Sequence, residues 1–95
     1  MILAQLSVYP MGEGISLGNY VRKGIQVIKE SGYTYSVGGL STAIEFPDMD
    51  SLFSLVKAVR QAHEDEGAKR IIVDLKIDDR KDKNATLSSK IKSVT

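Results

Sequence analysis

Tyr9 and Glu45 are two side chains that together could recognise a flat cation, the ring by stacking and the carboxylate by pairing. Alternation sets them on one side of a sheet with small hydroxyls and single carboxylates, Ser7, Ser41 and Asp74 among them, beside Leu3 and Ile72. Such a mixed face suits cover by a ligand or by a second subunit, and an open solvated face is the alternative. Covalent and metal chemistry find less support. The chain has no cysteine, which excludes disulfides, thiolate nucleophiles and cysteine-ligated zinc. Its one histidine, His63, rules out an all-histidine metal site within one chain and falls on the apolar stripe of a helix. There it is expected to pack, with a ring nitrogen bonded to a carbonyl, rather than act as a base or ligand. A serine triad would have to use that same inward-pointing ring.

Other constellations are read as structural. Gly12-Glu13-Gly14 and Gly18 miss the dinucleotide spacing, and Glu13 would repel phosphate, so a connecting loop is expected. Asp78, Asp79 and Asp82 are offset by Arg80, Lys81 and Lys83, which argues against calcium. No catalytic residue, metal ligand or cofactor is expected.

The elements that must position these residues follow from hydrophobic period. Residues 2–9 alternate, with Ile2, Ala4, Leu6 and Val8 on one side and Leu3, Gln5, Ser7 and Tyr9 on the other. Ser16 stands as the N-cap of a helix whose stripe is Leu17, Tyr20, Val21, Gly24, Ile25 and Ile28, and Gly32 suits its C-terminal end. Residues 33–37 and 40–46 read as strands around Gly38-Gly39, a turn that tolerates positive φ. Pro47 and Asp48 open a second helix with Leu52, Leu55, Val59 and His63 on its stripe, ended by Gly67. A fourth strand spans residues 70–78, and Thr86 caps a short last helix.

This order predicts a single α+β domain over residues 1–95. It is a ferredoxin-like βαββαβ antiparallel sheet with two helices on one face and an extra C-terminal helix. Right-handed crossovers are expected to set the first and fourth strands near the sheet centre. Thr42 turns toward the helices.

Composition narrows the partners. Of 95 residues 42% are apolar and 26% charged, as in an ordinary globule, and the net charge of +1 gives no field for nucleic acid or an anionic membrane. The third strand offers Ser41, Ala43 and Glu45 where an RNA-recognition sheet would show aromatics. Apolar runs fall far short of the ~20 residues that span a bilayer. The N-terminal sequence shows no basic region or cleavage motif, so a cytoplasmic location is expected.

Several short segments stand in a telling order and spacing. Ser7-Val8-Tyr9-Pro10 ends the first strand, Ser16 through Tyr20 opens the helix, and Gly32-Tyr33-Thr34-Tyr35 enters the second strand. Ser41-Thr42-Ala43-Ile44-Glu45 follows, then Lys69-Arg70 and Lys76-Ile77-Asp78-Asp79-Arg80. In this the chain resembles the small thiamine-binding protein family of ferredoxin-like proteins. The resemblance implies a homotetramer, a dimer of dimers whose sheets meet and whose C-terminal helices help to join subunits. It also implies binding of thiamine or its pyrimidine moiety without chemical change, with Ser7, Tyr9, Thr42 and Glu45 in the pocket. Phe46 and Pro47 stand where the family often has a glycine. Thiamine suits these residues: Glu45 or Asp74 would offset the thiazolium charge, Ser7 would meet the aminopyrimidine, and Tyr9 would stack.

The leading reading is therefore a non-enzymatic, oligomeric binding protein for thiamine or a related pyrimidine or thiazolium compound. The alternative is a structural or regulatory assembly module with no ligand of its own. A ferredoxin-like acylphosphatase comes last, because residues 10–16 lack the arginine that a phosphate-cradling loop requires.

Overall fold

The computed structural model describes residues 1–12, 14 and 16–95. Period-two segments form β1 (Ile2–Pro10), β2 (Tyr35–Val37), β3 (Thr42–Phe46) and β4 (Ile71–Asp78). The helical stripes form α1 (Leu17–Glu30), α2 (Met49–Asp65) and α3 (Leu87–Val94). The fold is the α+β ferredoxin-like βαββαβ arrangement with an added C-terminal helix. The loop expected at residues 12–14 includes Glu13, which lies outside the described residues.

Local chemistry explains the helix ends. Ser16 has the extended backbone of an N-cap, although its side chain makes no capping bond. Asp48 accepts a 2.7 Å hydrogen bond from the Ser51 N–H, and Thr86 forms a reciprocal capping box with Ser89. Gly32 and Gly67 follow α1 and α2 with φ of +80° and +108°, the left-handed backbone that favours glycine.

The sheet order is β2-β3-β1-β4, with every ladder antiparallel. β1 is central, as expected, but β4 is not; its place is taken by β3, and β4 forms an edge beside β1. The reason is topological. The crossover through α1 skips the slot that β3 later fills, and the crossover through α2 passes β1 to reach its far side. An edge position also explains why Val73, paired with Val8 in the helix-facing row, stays 39% exposed.

The Gly38-Gly39 link also departs from expectation. β2 and β3 stop short of it, residues 38–41 form the connection, and neither glycine has positive φ. Close approach is what Gly38 provides: its N–H donates to the Ser41 carbonyl at 2.9 Å, and a Cβ there would meet that same oxygen at 2.9 Å.

α1 and α2 cover one face of the sheet. Ile2, Ala4 and Leu6 of β1 meet Ile44 and Phe46 of β3 beneath them. Ile28 of α1 and Leu52, Leu55 and Val59 of α2 complete this core. Full burial of an aliphatic side chain such as Ile44 or Leu52 contributes about 1.5–3 kcal/mol. Phe46 is also enclosed, with its ring 5.0 Å from that of Tyr33, so this bulky residue fills the core.

α3 covers one end of the opposite face. Leu3 and Glu45, expected on the free side, are buried there, and Lys90 of α3 donates to Asp78 at the end of β4 at 2.7 Å. Among the described residues no helix is long and apolar enough to cross a membrane.

Leu52→Ala is expected to cost about 2–5 kcal/mol, because Leu52 is fully buried in the core and its truncation leaves a void there. Urea unfolding of the two proteins measures this, and a loss below about 1 kcal/mol would show that α2 does not seal the core.

Candidate ligand-binding site

A cavity of about 250 Å³ opens between α1 and the sheet, where β1 nears its end. Its sheet wall is formed by Leu6 through Tyr9 of β1 and by Thr42 of β3. Val21, Gly24, Ile25 and Ile28 of α1 supply the helix wall, with Val59 and His63 of α2, and residues 37–41 close one side. Among the described residues no charged side chain lines it. The volume lies just under the usual range of small-molecule sites, about 300–1,000 Å³.

Two small or polar residues in core rows shape this space. Gly24 lets the helices approach, since a Cβ there would lie 3.2 Å from His63 Cε1 and 3.4 Å from Val59 Cγ1. Thr42 sits opposite Leu6 in the helix-facing row, buried, and brings a hydroxyl to a position that packing alone would fill with an aliphatic group.

A second recess of about 360 Å³ adjoins the first and shares Ser7, Tyr9, Leu40 and Ser41 with it. It adds Gln5, Asp74 and Lys76 from the free face. The β1–β4 register sets Ser7 opposite Asp74 and Tyr9 opposite Ile72. Gln5 Nε2 donates to Ser41 Oγ at 2.7 Å.

Ser7, Tyr9 and Thr42 thus border one cavity, and Glu45 stands apart from it. Glu45 pairs with Leu3, six positions before Tyr9 along β1, which is roughly 20 Å at the rise of a strand. Its Oε1 accepts from the Leu87 N–H at 3.4 Å, which sets a carboxylate at the positive end of α3. The structure therefore does not bring Tyr9 and Glu45 to one small ring. Alternation places two residues on the same face without saying how far apart along the strand they sit.

His63 is the residue that pattern reading undervalued. Its Nδ1 lies 3.0 Å from the Val59 carbonyl, the carbonyl contact anticipated for it. The ring is only 1% exposed, and among the described residues its Nε2 has no hydrogen-bond partner. A buried acceptor left unpaired costs about 1–3 kcal/mol, so it calls for an explanation. The Tyr20 ring lies 5.7 Å away, and the Tyr20 hydroxyl donates to the Glu66 carbonyl, joining the start of α1 to the end of α2. The available signal was a lone imidazole on an otherwise aliphatic stripe facing a helix that carries a glycine. No group of three or more His, Asp or Glu side chains among the described residues could hold a metal ion.

Comparison with known proteins gives the following. A sequence model described as thiamine-binding protein matches residues 4–95. A UPF0045 protein of Methanothermobacter thermautotrophicus is 38% identical over 95 residues, spanning 99% of this chain and 96% of its own. The crystal structure of a hypothetical protein from Methanocaldococcus jannaschii has a TM-score of 0.87 at 31% identity, covering 98% of this chain and 94% of that one. A Thermotoga maritima protein provisionally assigned to thiamine biosynthesis or salvage has a TM-score of 0.83 at 26% identity, covering 99% and 98%.

Glu45→Ala is expected to speed amide exchange across α3 while leaving β1 and the core of α2 protected; unchanged exchange would mean that Glu45 does not hold the helix. The Asp78 tether should be pH-dependent. The Lys90 hydrogen bond and charge hold its carboxyl below the ordinary carboxylate value, so the tether is intact above that value and is lost as pH falls through the lowered one. NMR shifts of α3 should follow this acid transition in the wild type and lose it in Asp78→Asn.

Proposed function

We propose a binding function for this chain, which belongs to the UPF0045/thiamine-binding protein family: it holds thiamine, or a related pyrimidine or thiazolium compound, without transforming it. The observation that carries this reading is the pair of adjoining recesses of different character with Ser7 and Tyr9 on their common rim. Thiamine itself is two rings of different character, a neutral aminopyrimidine and a permanently charged thiazolium. The uncharged cavity suits the first ring, because a neutral heterocycle needs no counter-ion when desolvated. Asp74 in the second recess would offset the cation, with Lys76 beside it weakening that attraction.

The individual side chains fit these roles. Tyr9 supplies a face for stacking, and the Ser7 and Thr42 hydroxyls can donate or accept toward ring nitrogens. Phe46 and Pro47 border neither recess, so the departure from the family's usual glycine leaves the pocket wall intact. A binding role without catalysis is supported by the surroundings of His63. Its Nδ1 faces a carbonyl, and among the described residues its Nε2 has no hydrogen-bond partner, hydroxyls included. The Thermotoga maritima relative, with its provisional place in thiamine biosynthesis or salvage, agrees with this ligand class.

Assembly belongs to the same proposal. Tyr9 is 38% exposed on the free face, and a second copy lying sheet to sheet would roof the outer recess and exclude water from its polar contacts. We read the working unit as a homotetramer built as a dimer of dimers.

Calorimetry with thiamine and with its aminopyrimidine half tests the ligand. Ser7→Ala and Thr42→Val should each weaken binding about two- to tenfold, and Asp74→Asn should weaken thiamine more than the pyrimidine alone. Glu45→Gln should leave affinity unchanged. No heat with either compound at high micromolar protein would favour the assembly module that binds nothing. Size measurement in solution should return a multiple of 10.4 kDa, and a clean monomer would count against the oligomer.

A further inference from the structure

We propose that a notch in the sheet beside β1 recognises the ligand, the main-chain N–H and carbonyl of Val8 pairing with the edge of a flat neutral heterocycle; this rests on the binding reading above. β1 is matched to β4 from Leu3 to Pro10, but its ladder with β3 ends where Leu6 meets Thr42. The same register, continued, would set Leu40 opposite Val8. The chain turns away there instead. Gly38 donates to the Ser41 carbonyl at 2.9 Å, and Leu40 is left 94% exposed.

Hydrogen-bond parity fixes where the Val8 main chain points. The Met11 N–H donates to the Arg70 carbonyl at 2.9 Å, one position beyond the Pro10–Ile71 pair. Odd residues of β1 therefore turn N–H and carbonyl toward β4, and even residues turn both toward the β3 side. Val8 is the first even residue beyond that ladder, and no main-chain group of the described residues bonds it on this side. The Ser41 hydroxyl across the notch accepts from Gln5 at 2.7 Å. Pro10, the next even residue, has no N–H, which suits a strand edge without a neighbour. Val8 is half-buried and lines the inner cavity, as Leu40 does across the notch. Ser7 and Tyr9, on either side of Val8 in the chain, border both recesses.

A single residue with both groups free defines the occupant. A peptide strand would need a run of donors and acceptors, whereas Leu6 is already paired and Pro10 cannot donate. The N–H and carbonyl of one extended residue lie side by side. They match a ring that carries an acceptor nitrogen next to an exocyclic amino group. The aminopyrimidine of thiamine has that edge. Among the described residues no charged side chain lines the inner cavity, which favours a neutral ring over a cation.

The Val8 amide reports on this pairing directly. In 15N-labelled free protein it should exchange quickly with solvent, while the Ala4 amide, in the ladder with Ile44, stays protected. 2-Aminopyridine keeps acceptor and amino group adjacent, and it should move the Val8 signal and slow its exchange. Thiamine and 4-aminopyrimidine should do the same. 3-Aminopyridine holds the two groups apart and should bind about two- to tenfold more weakly in mildly alkaline buffer, where both isomers are neutral. An ester in place of the Val8 amide removes the N–H alone and should erase most of that preference, as should Val8→Pro. A Val8 amide protected in the free protein, one unmoved by every amino probe, or equal binding of the two isomers would each overturn the proposal. Should both variants fail to fold, the wild-type signals and the isomer pair still decide. If thiamine binds and leaves Val8 unmoved, the notch falls and the thiamine reading stands. If thiamine fails while 2-aminopyridine binds and protects Val8, the thiamine reading falls and the notch stands.

Discussion

The double pairing of β1 is the constraint on which the rest of this structure depends. As a central strand it satisfies a ladder with β3 on one edge and with β4 on the other, while its even row, Ile2, Ala4, Leu6 and Val8, packs against the helices. A slip of one residue in either ladder would turn the apolar row to the free side, so the register is strongly held. Everything at the site follows from it. The ladder with β4 brings Asp74 beside Ser7, and the ladder with β3 brings Thr42 opposite Leu6 and Glu45 opposite Leu3.

The helix layer converts this register into a cavity. Gly24 allows α2 close enough for His63 and Val59 to reach α1, and Thr42 interrupts the aliphatic row below. The result is a half-open space beside an imidazole nitrogen that is unpaired among the described residues, in a domain whose total stability belongs to a class of about 5–15 kcal/mol. An unsatisfied acceptor costs a noticeable part of such a total.

α3 divides the free face. At one end it lies over Leu3 and takes the Glu45 carboxylate at its N-terminus, with Lys90 tied to Asp78. At the other end Tyr9, Ser7 and Asp74 stay accessible. A single sheet face thereby serves two purposes, a closed end that anchors a helix and an open end that is free for a ligand or a second copy. The carboxylate best placed to meet a cation is then Asp74, since Glu45 is engaged under α3.

Hydrophobic period, caps and glycines at helix ends were legible in the residues themselves, because they depend only on spacing along the chain and on side-chain type. They determined the order of elements, the class of fold, the two faces of each strand, the place of Thr42 on the helix side and the carbonyl contact of His63. They did not determine that β3 displaces β4 from the centre, since both orders satisfy the same alternation. Nor could they separate Tyr9 from Glu45, because period two carries no distance along the strand. The tertiary structure alone decided that Glu45 lies beneath α3, that Gly38 serves a close approach rather than a left-handed turn, and that His63 Nε2 has no partner among the described residues. The physical reason is that periodicity is a local property, whereas a hydrogen bond, a void or a missing partner exists only between atoms that packing brings together from distant parts of the chain.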